Sequence, residues 1–158
     1  IDDPSGEEAQ ERIRAALLLR HVVSFHRTFE GQRRGFTSDP RRLSGVFDVP
    51  PAMGLRLCET MAANVGVGGP NFVTTKALRD KRLVHMLLLY LMAHGRKMKV
   101  PAINAFCKEL KIDEAEATHL LRETGCTVTK FKGGHMMSAA LKVPLTFPPI
   151  KRGRKTGG

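Results

Sequence analysis

Residues 80–94 read DKRLVHMLLLYLMAH, and the segments after them decide the fold: VPAINAFCKEL at 100–110, DEAEATHLLRET at 113–124, CTVTKF at 126–131 and AALKVPLTF at 139–147. In the first, Val84, Leu87, Leu88 and Leu91 share one side of a helix, and Leu83, Met86 and Tyr90 another. A helix with no wet face is buried on several sides. In the second, Ile103, Phe106, Cys107 and Leu110 form a helical stripe, with Pro101 at a first-turn position. The third opens with Asp113 and Glu116 at capping-box spacing, and Thr124-Gly125 is a glycine-type stop. Cys126, Val128 and Lys130 then alternate with Thr127, Thr129 and Phe131, and Leu141, Val143 and Leu145 alternate on the way back, with Gly133-Gly134 at the turn. Pro144 suits an edge strand, since it cannot donate to a ladder. Three helices followed by a two-stranded hairpin is the winged-helix order, a helix-turn-helix module often used on DNA.

Working outward, residues 8–63 repeat that order. Residues 1–11 are acidic and polar, an expected frayed start. Ala15, Leu18, Leu19, Val22, Phe25 and Phe29 form one helical stripe. Ser38-Asp39-Pro40 is a helix start, and that helix ends near Gly45. Residues 48–51 open another, with Met53, Leu57 and Met61 at spacing four. Residues 65–73 are expected to be a degraded wing. The predicted fold class is therefore mainly α with small β wings, a tandem winged helix of two helix-turn-helix modules at 8–75 and 76–149. A short basic linker is expected around 74–79 and a basic tail at 150–158. A single all-helical domain with one wing is the alternative.

Charge falls on one half. The chain has 158 residues, net charge +11 and pI near 10.1. Lys plus Arg against Asp plus Glu is 10 to 9 over residues 1–76 (+1) and 16 to 6 over residues 77–158 (+10). So basic a chain implies a polyanionic partner, usually nucleic acid. The sharpest candidates flank the second hairpin: Lys130, Lys132, His135 and Lys142. There each neutralised phosphate releases counterions. Arg122 is the third helix's candidate. Lys81, Arg82, Arg96, Lys97 and Lys99 lie around the ends of the apolar helix, and Lys151, Arg152, Arg154 and Lys155 form the tail cluster. Because the third helix begins with carboxylates, weak sequence specificity is expected: backbone contacts position a protein without reading bases.

Other chemistries find little support. Cys58, Cys107 and Cys126 are too few and too scattered for a disulfide framework, so a reducing intracellular setting is expected. Cys107, His119 and Cys126 lack the paired spacings of a zinc site. Gly66-Val67-Gly68-Gly69 has no convincing strand before it and no long helix after it, as a dinucleotide loop needs. The longest apolar run, 83–93, is shorter than the roughly 20 residues of a membrane span. No enzymatic dyad, cofactor, metal, membrane or small-molecule substrate is expected. With neither a secretory signal nor an initiating Met, the chain reads as a piece of a longer protein.

Residues 80–89, Leu110-Lys111-Ile112, residues 121–128 and residues 140–148 resemble the C-terminal part of the RNA polymerase I specific subunit of the forty-nine-kilodalton type. The likeness extends more loosely to 47–51 and 64–75. The resemblance implies a TFIIE-like tandem winged helix that binds double-stranded DNA at the polymerase cleft. It also implies contacts with other RNA polymerase I subunits and support for initiation and elongation of ribosomal RNA transcription, in the nucleus and nucleolus. Arg122, Lys130, Lys132 and Lys142 are the basic residues that could correspond to its DNA-binding face. A winged-helix scaffold that docks protein without touching DNA is the alternative, and an RNA-contacting domain shares the same electrostatics.

Overall fold

The computed structural model describes residues 6–31, 36–37, 45–67, 71–130, 137–142, 144–145 and 147–149. It is mainly helical with two small antiparallel sheets. The first half holds α1 (Glu7–Gly31), β1 (Phe36–Thr37), α2 (Pro51–Met61), β2 (Ala63–Asn64) and β3 (Asn71–Val73). The second holds α3 (Lys76–Ala93), β4 (Lys99–Val100), α4 (Asn104–Glu109), α5 (Glu114–Glu123), β5 (Cys126–Lys130) and β6 (Met137–Leu141). Residues 45–47 are also helical. The sheet orders are β1-β3-β2 and β4-β6-β5, so in both halves the last strand sits in the middle. The halves thus share one topology as well as one element order.

One hydrophobic core serves both. It runs from Val22, Phe25, Phe29 and Phe47 through Leu83, Met86, Leu87 and Leu91 to Ile103, Leu110, Leu121 and Met137. The apolar helix is not buried all round as expected, since Lys81, His85 and Met92 are exposed, but its other sides explain this continuity: α3 lies along α1 and also contacts α2, α5 and β6. Each such buried side chain contributes roughly 1.5–3 kcal/mol.

Several boundaries differ from the sequence expectation. α1 begins at Glu7 instead of fraying to residue 11, because its first turn is held: the Arg96 backbone N–H donates to Glu8 Oε1 (3.1 Å), and Arg12 Nε donates to the Ala93 carbonyl (3.2 Å). Leu18, expected in the core, is 38% exposed. The expected linker is helix: Thr75 caps α3 by accepting from the Leu78 N–H at 3.3 Å, so Lys76 to Arg79 form its first turn. The 100–110 helix is shorter; Val100 belongs to β4, and Pro101 precedes α4. The return strand is Met137–Leu141, starting two residues and ending six residues before the expected 139–147, so Pro144 and Leu145 lie outside it. After β6 the chain crosses back, bringing Leu145 and Phe147 over Gly125, where a Cβ would meet them at 3.4–3.5 Å. The start of the helix expected at Ser38 lies outside the described residues.

Other local readings hold. Asp113 caps α5, its Oδ1 accepting the Glu116 N–H at 2.7 Å. Gly125 adopts φ +85°, a left-handed conformation that suits glycine. The hairpin in the first half is formed by Ala63–Asn64 and Asn71–Val73. The three cysteines are free and buried. Burial pushes the Cys58 thiol up to about 12 and Cys107 to about 11, so neither is a ready nucleophile. No helix among the described residues is long and apolar enough to cross a membrane.

Candidate nucleic-acid interface

α5 is amphipathic. Ala117, Leu120 and Leu121 enter the core. The opposite face presents Ala115, Thr118, His119, Arg122 and Glu123, which with Lys130, Pro148 and Pro149 line an open groove of about 790 Å³. Two residues singled out from sequence, Arg122 and Lys130, therefore meet in one place. Arg122 is exposed and has no ion-pair partner among the described residues.

The carboxylates at the start of α5 are neutralised from within. Glu114 accepts from Lys130 Nζ (3.2 Å) and from Asn104 Nδ2 (2.7 Å). Glu116 accepts from Arg79 Nη1 at 2.5 Å, and Arg79 also donates to Glu30 of α1 at 3.3 Å. Burial acts to lower the Arg79 pKa, but the hydrogen bonds and charges of Glu116 and Glu30 outweigh it and raise it overall. Lys130 is accordingly tied to the protein at its head, with about half of its side chain exposed (55%).

The hairpin above the groove is pinned at its stem. Lys130 pairs with Met137. The Met137 N–H donates to Asn104 Oδ1 at 2.6 Å, and its carbonyl accepts from the Ile103 N–H at 2.8 Å. One side chain, Asn104, thus joins the first turn of α4, the acid that opens α5 and the last described residue pair of the hairpin.

A second set of cations lies in and next to the sheet. Lys99 pairs with Ala140, and alternation places it with Thr127, Thr129 and Ser138 on the face opposite buried Met137 and Ala139. Lys97 precedes β4 and Lys142 follows β6 directly, and the Leu141 N–H donates to the Met98 carbonyl at 3.1 Å. Lys97, Lys99 and Lys142 are all exposed.

The remaining candidates divide. Arg96 is exposed but lies 3.8 Å from Glu7 and 3.9 Å from Glu8, so it clamps the start of α1. Lys81 donates to the Thr60 carbonyl at 2.8 Å, near the C-terminal end of α2, where a cation suits the helix dipole. Arg82 is a correction. Expected on an anion-binding surface, it is fully buried (0% exposed), donating to the Met61 carbonyl at 3.1 Å and Thr74 Oγ1 at 2.8 Å. It sits 3.6 Å from Glu30, and its guanidinium lies 5.4 Å from the Phe29 ring centre. Burial, opposed by Glu30, lowers its pKa. It joins the two halves and is out of reach of a polymer outside. Lys132, His135, Lys151, Arg152, Arg154 and Lys155 lie outside the described residues. Among the described residues no group of three or more His, Cys, Asp or Glu is arranged to hold a metal ion.

Asn104 had no visible role in the sequence, Arg79 counted there only as one of the basic residues before the apolar helix, and Glu30 only as an acid beside Arg33-Arg34. Asn104 is one polar letter in an apolar stripe, and its partner Met137 is 33 residues away.

The fold and its surface define a basic, mainly helical protein of two like halves with small antiparallel sheets. The chain belongs to the family of A49-like RNA polymerase I associated factors, whose model matches residues 3–148. The match bears out the resemblance read from the second half and spans the first half as well. No curated protein and no solved structure matches the chain. Membership implies a role in RNA polymerase I transcription, in association with that enzyme's subunits, which is nuclear work.

Proposed function

We propose that the two halves are winged-helix modules in tandem, at 8–75 and 76–149 with the basic tail at 150–158. Together they form a non-enzymatic DNA-binding part of an RNA polymerase I subunit. The second module binds double-stranded DNA through phosphate contacts largely indifferent to sequence and so supports initiation and elongation of ribosomal RNA transcription in the nucleolus. The observation that carries this reading is the outward face of α5. Arg122 has no ion-pair partner there among the described residues, while Glu114 and Glu116, which would repel a phosphate backbone, are occupied by Lys130, Asn104 and Arg79. Arg122, the exposed cations Lys97, Lys99 and Lys142, and Lys132, His135, Lys151, Arg152, Arg154 and Lys155 are the proposed contacts. Lys81, Lys130 and Arg96 contribute field more than direct contact, since their heads already have partners.

A salt titration of duplex binding tests it. With several phosphates neutralised, affinity falls by orders of magnitude between roughly 50 and 200 mM salt. Arg122→Glu and Lys132→Glu should each weaken binding to unrelated duplexes alike. Binding insensitive to salt and to both changes would leave the second reading, a protein-docking scaffold. That reading draws on Ile13 and Leu17, each 53% exposed one turn apart on α1. Single-stranded DNA and RNA in the same titration give the polymer preference.

A further inference from the structure

The two halves carry a hairpin at the same place with opposite chemistry. The β5–β6 hairpin has Lys130 at its stem and Lys142 after it, and the sequence between its strands holds Lys132 and His135. Its counterpart has no cation. From Met61 to Thr75 the sequence MAANVGVGGPNFVTT holds no charged residue, in a chain of net charge +11. Val65 is 56% exposed and Val67 completely so (103%). The segment is nevertheless held: Asn64 Oδ1 accepts the Gly66 N–H (3.1 Å) and the Asn71 N–H (3.0 Å), and the Val65 N–H donates to the Asn71 carbonyl (2.9 Å).

We propose that this first hairpin is a protein-docking knob, which seats Val67, with Val65 beside it, in an uncharged apolar pocket on a subunit of RNA polymerase I. Three points favour a protein occupant over nucleic acid. The hairpin has no cation with which to neutralise a phosphate and release counterions. Its chemistry, apolar side chains framed by asparagine and backbone amides, matches an apolar pocket with a polar rim. The family associates with a multi-subunit enzyme, so a protein surface is at hand. A knob this small fixes register without holding the complex alone. The inference rests on family membership and is independent of the DNA reading.

The experiment places a photo-crosslinking amino acid at position 67 of the subunit assembled in purified RNA polymerase I on a DNA template. The expected product is a crosslink to one polymerase polypeptide, formed with or without the template. With the probe moved to position 65, a Val67→Lys change should cut that crosslink roughly tenfold. It should leave the melting temperature of the chain unchanged, since the Val67 side chain is fully exposed. A crosslink to nucleic acid, no polypeptide crosslink, or a Val67→Lys protein that crosslinks as before and binds duplex more tightly would each overturn the proposal. Arg122→Glu in the same preparation keeps the readings apart. Loss of duplex affinity there with the position-67 crosslink intact supports both. Unchanged affinity with the crosslink intact sinks the DNA reading alone.

Discussion

Arg79 on α3 reaches Glu116 on α5 at 2.5 Å while its other edge holds Glu30 on α1 at 3.3 Å. This guanidinium spans the two halves and neutralises an acid at the edge of the candidate interface. Removing it has two expected effects. Arg79→Ala leaves Glu116 without its cation and Glu30 with Arg82 alone, and should lower unfolding free energy by about 1–2 kcal/mol in urea melts. It should also weaken duplex binding at low salt, because Glu116 then repels phosphate. A double change with Glu116→Gln should recover part of that affinity.

Arg82 separates burial from charge. Arg82→Ala should destabilise the fold by about 3 kcal/mol or more, since it empties a filled core position and strips the Met61 carbonyl of its donor. Arg82→Met, which keeps the bulk, should cost less. Neither should alter duplex affinity per folded molecule. A purified, folded Arg82→Met protein with a clear DNA-binding defect would contradict the structural role.

His26 sets an acid limit. It is 1% exposed, with neither ring nitrogen in a hydrogen bond of ordinary geometry. Burial lowers its pKa to about 4, with Arg82 and Arg79 adding to the drop and Glu30 opposing it. An unfolded histidine titrates near 6.5, so between pH 6.5 and 4 the unfolded state binds the proton more readily. The stability of the neutral form is therefore complete above about 6.5 and is lost as pH falls toward 4, by about 3 kcal/mol in all. Denaturant melts between pH 4 and 7 should show that slope, and His26→Leu should flatten it.

Asn104 predicts a defect at a distance. Asn104→Ala removes the acceptor for the Met137 N–H and a donor to Glu114. A loss of about 1–2 kcal/mol is expected, with faster hydrogen exchange at Met137 and Ser138 than elsewhere in β6. If the hairpin presents cations to DNA, duplex affinity should fall although Asn104 itself does not reach the polymer. Asn104→Asp should keep the Met137 bond but place a second charge beside Glu114, giving a further loss of stability that low pH relieves. Unchanged exchange at Met137 in Asn104→Ala would refute the anchoring.

The long elements were legible because their cues are local. The apolar run at 83–93, the Asp113 cap and the Gly125 stop each lie within a few residues, and periodicity or cap chemistry names them. β1 and β4 were missed because two-residue strands have no period to read. The return strand begins two residues before its expected start because Met137 is fixed by donating to Asn104 and accepting from the Ile103 N–H, which no alternation shows. Arg82 was misassigned for a related reason: with Asp80 and Lys81 beside it, it looks like part of a solvated helix end, yet it lies on the inner side of α3 near the rings of Phe25 and Phe29.

Composition and spacing by themselves determined that this chain is helix-rich, basic in its second half and repeated in element order. Those properties need only neighbours along the chain or a sum over it. Which cations face outward and which are spent inside was decided by the tertiary structure alone. Pairing a guanidinium or an ammonium with a carboxylate depends on distance in space, and the partners of Arg79, Arg82 and Lys130 come from other elements: Glu30 in α1 and Glu116 and Glu114 in α5.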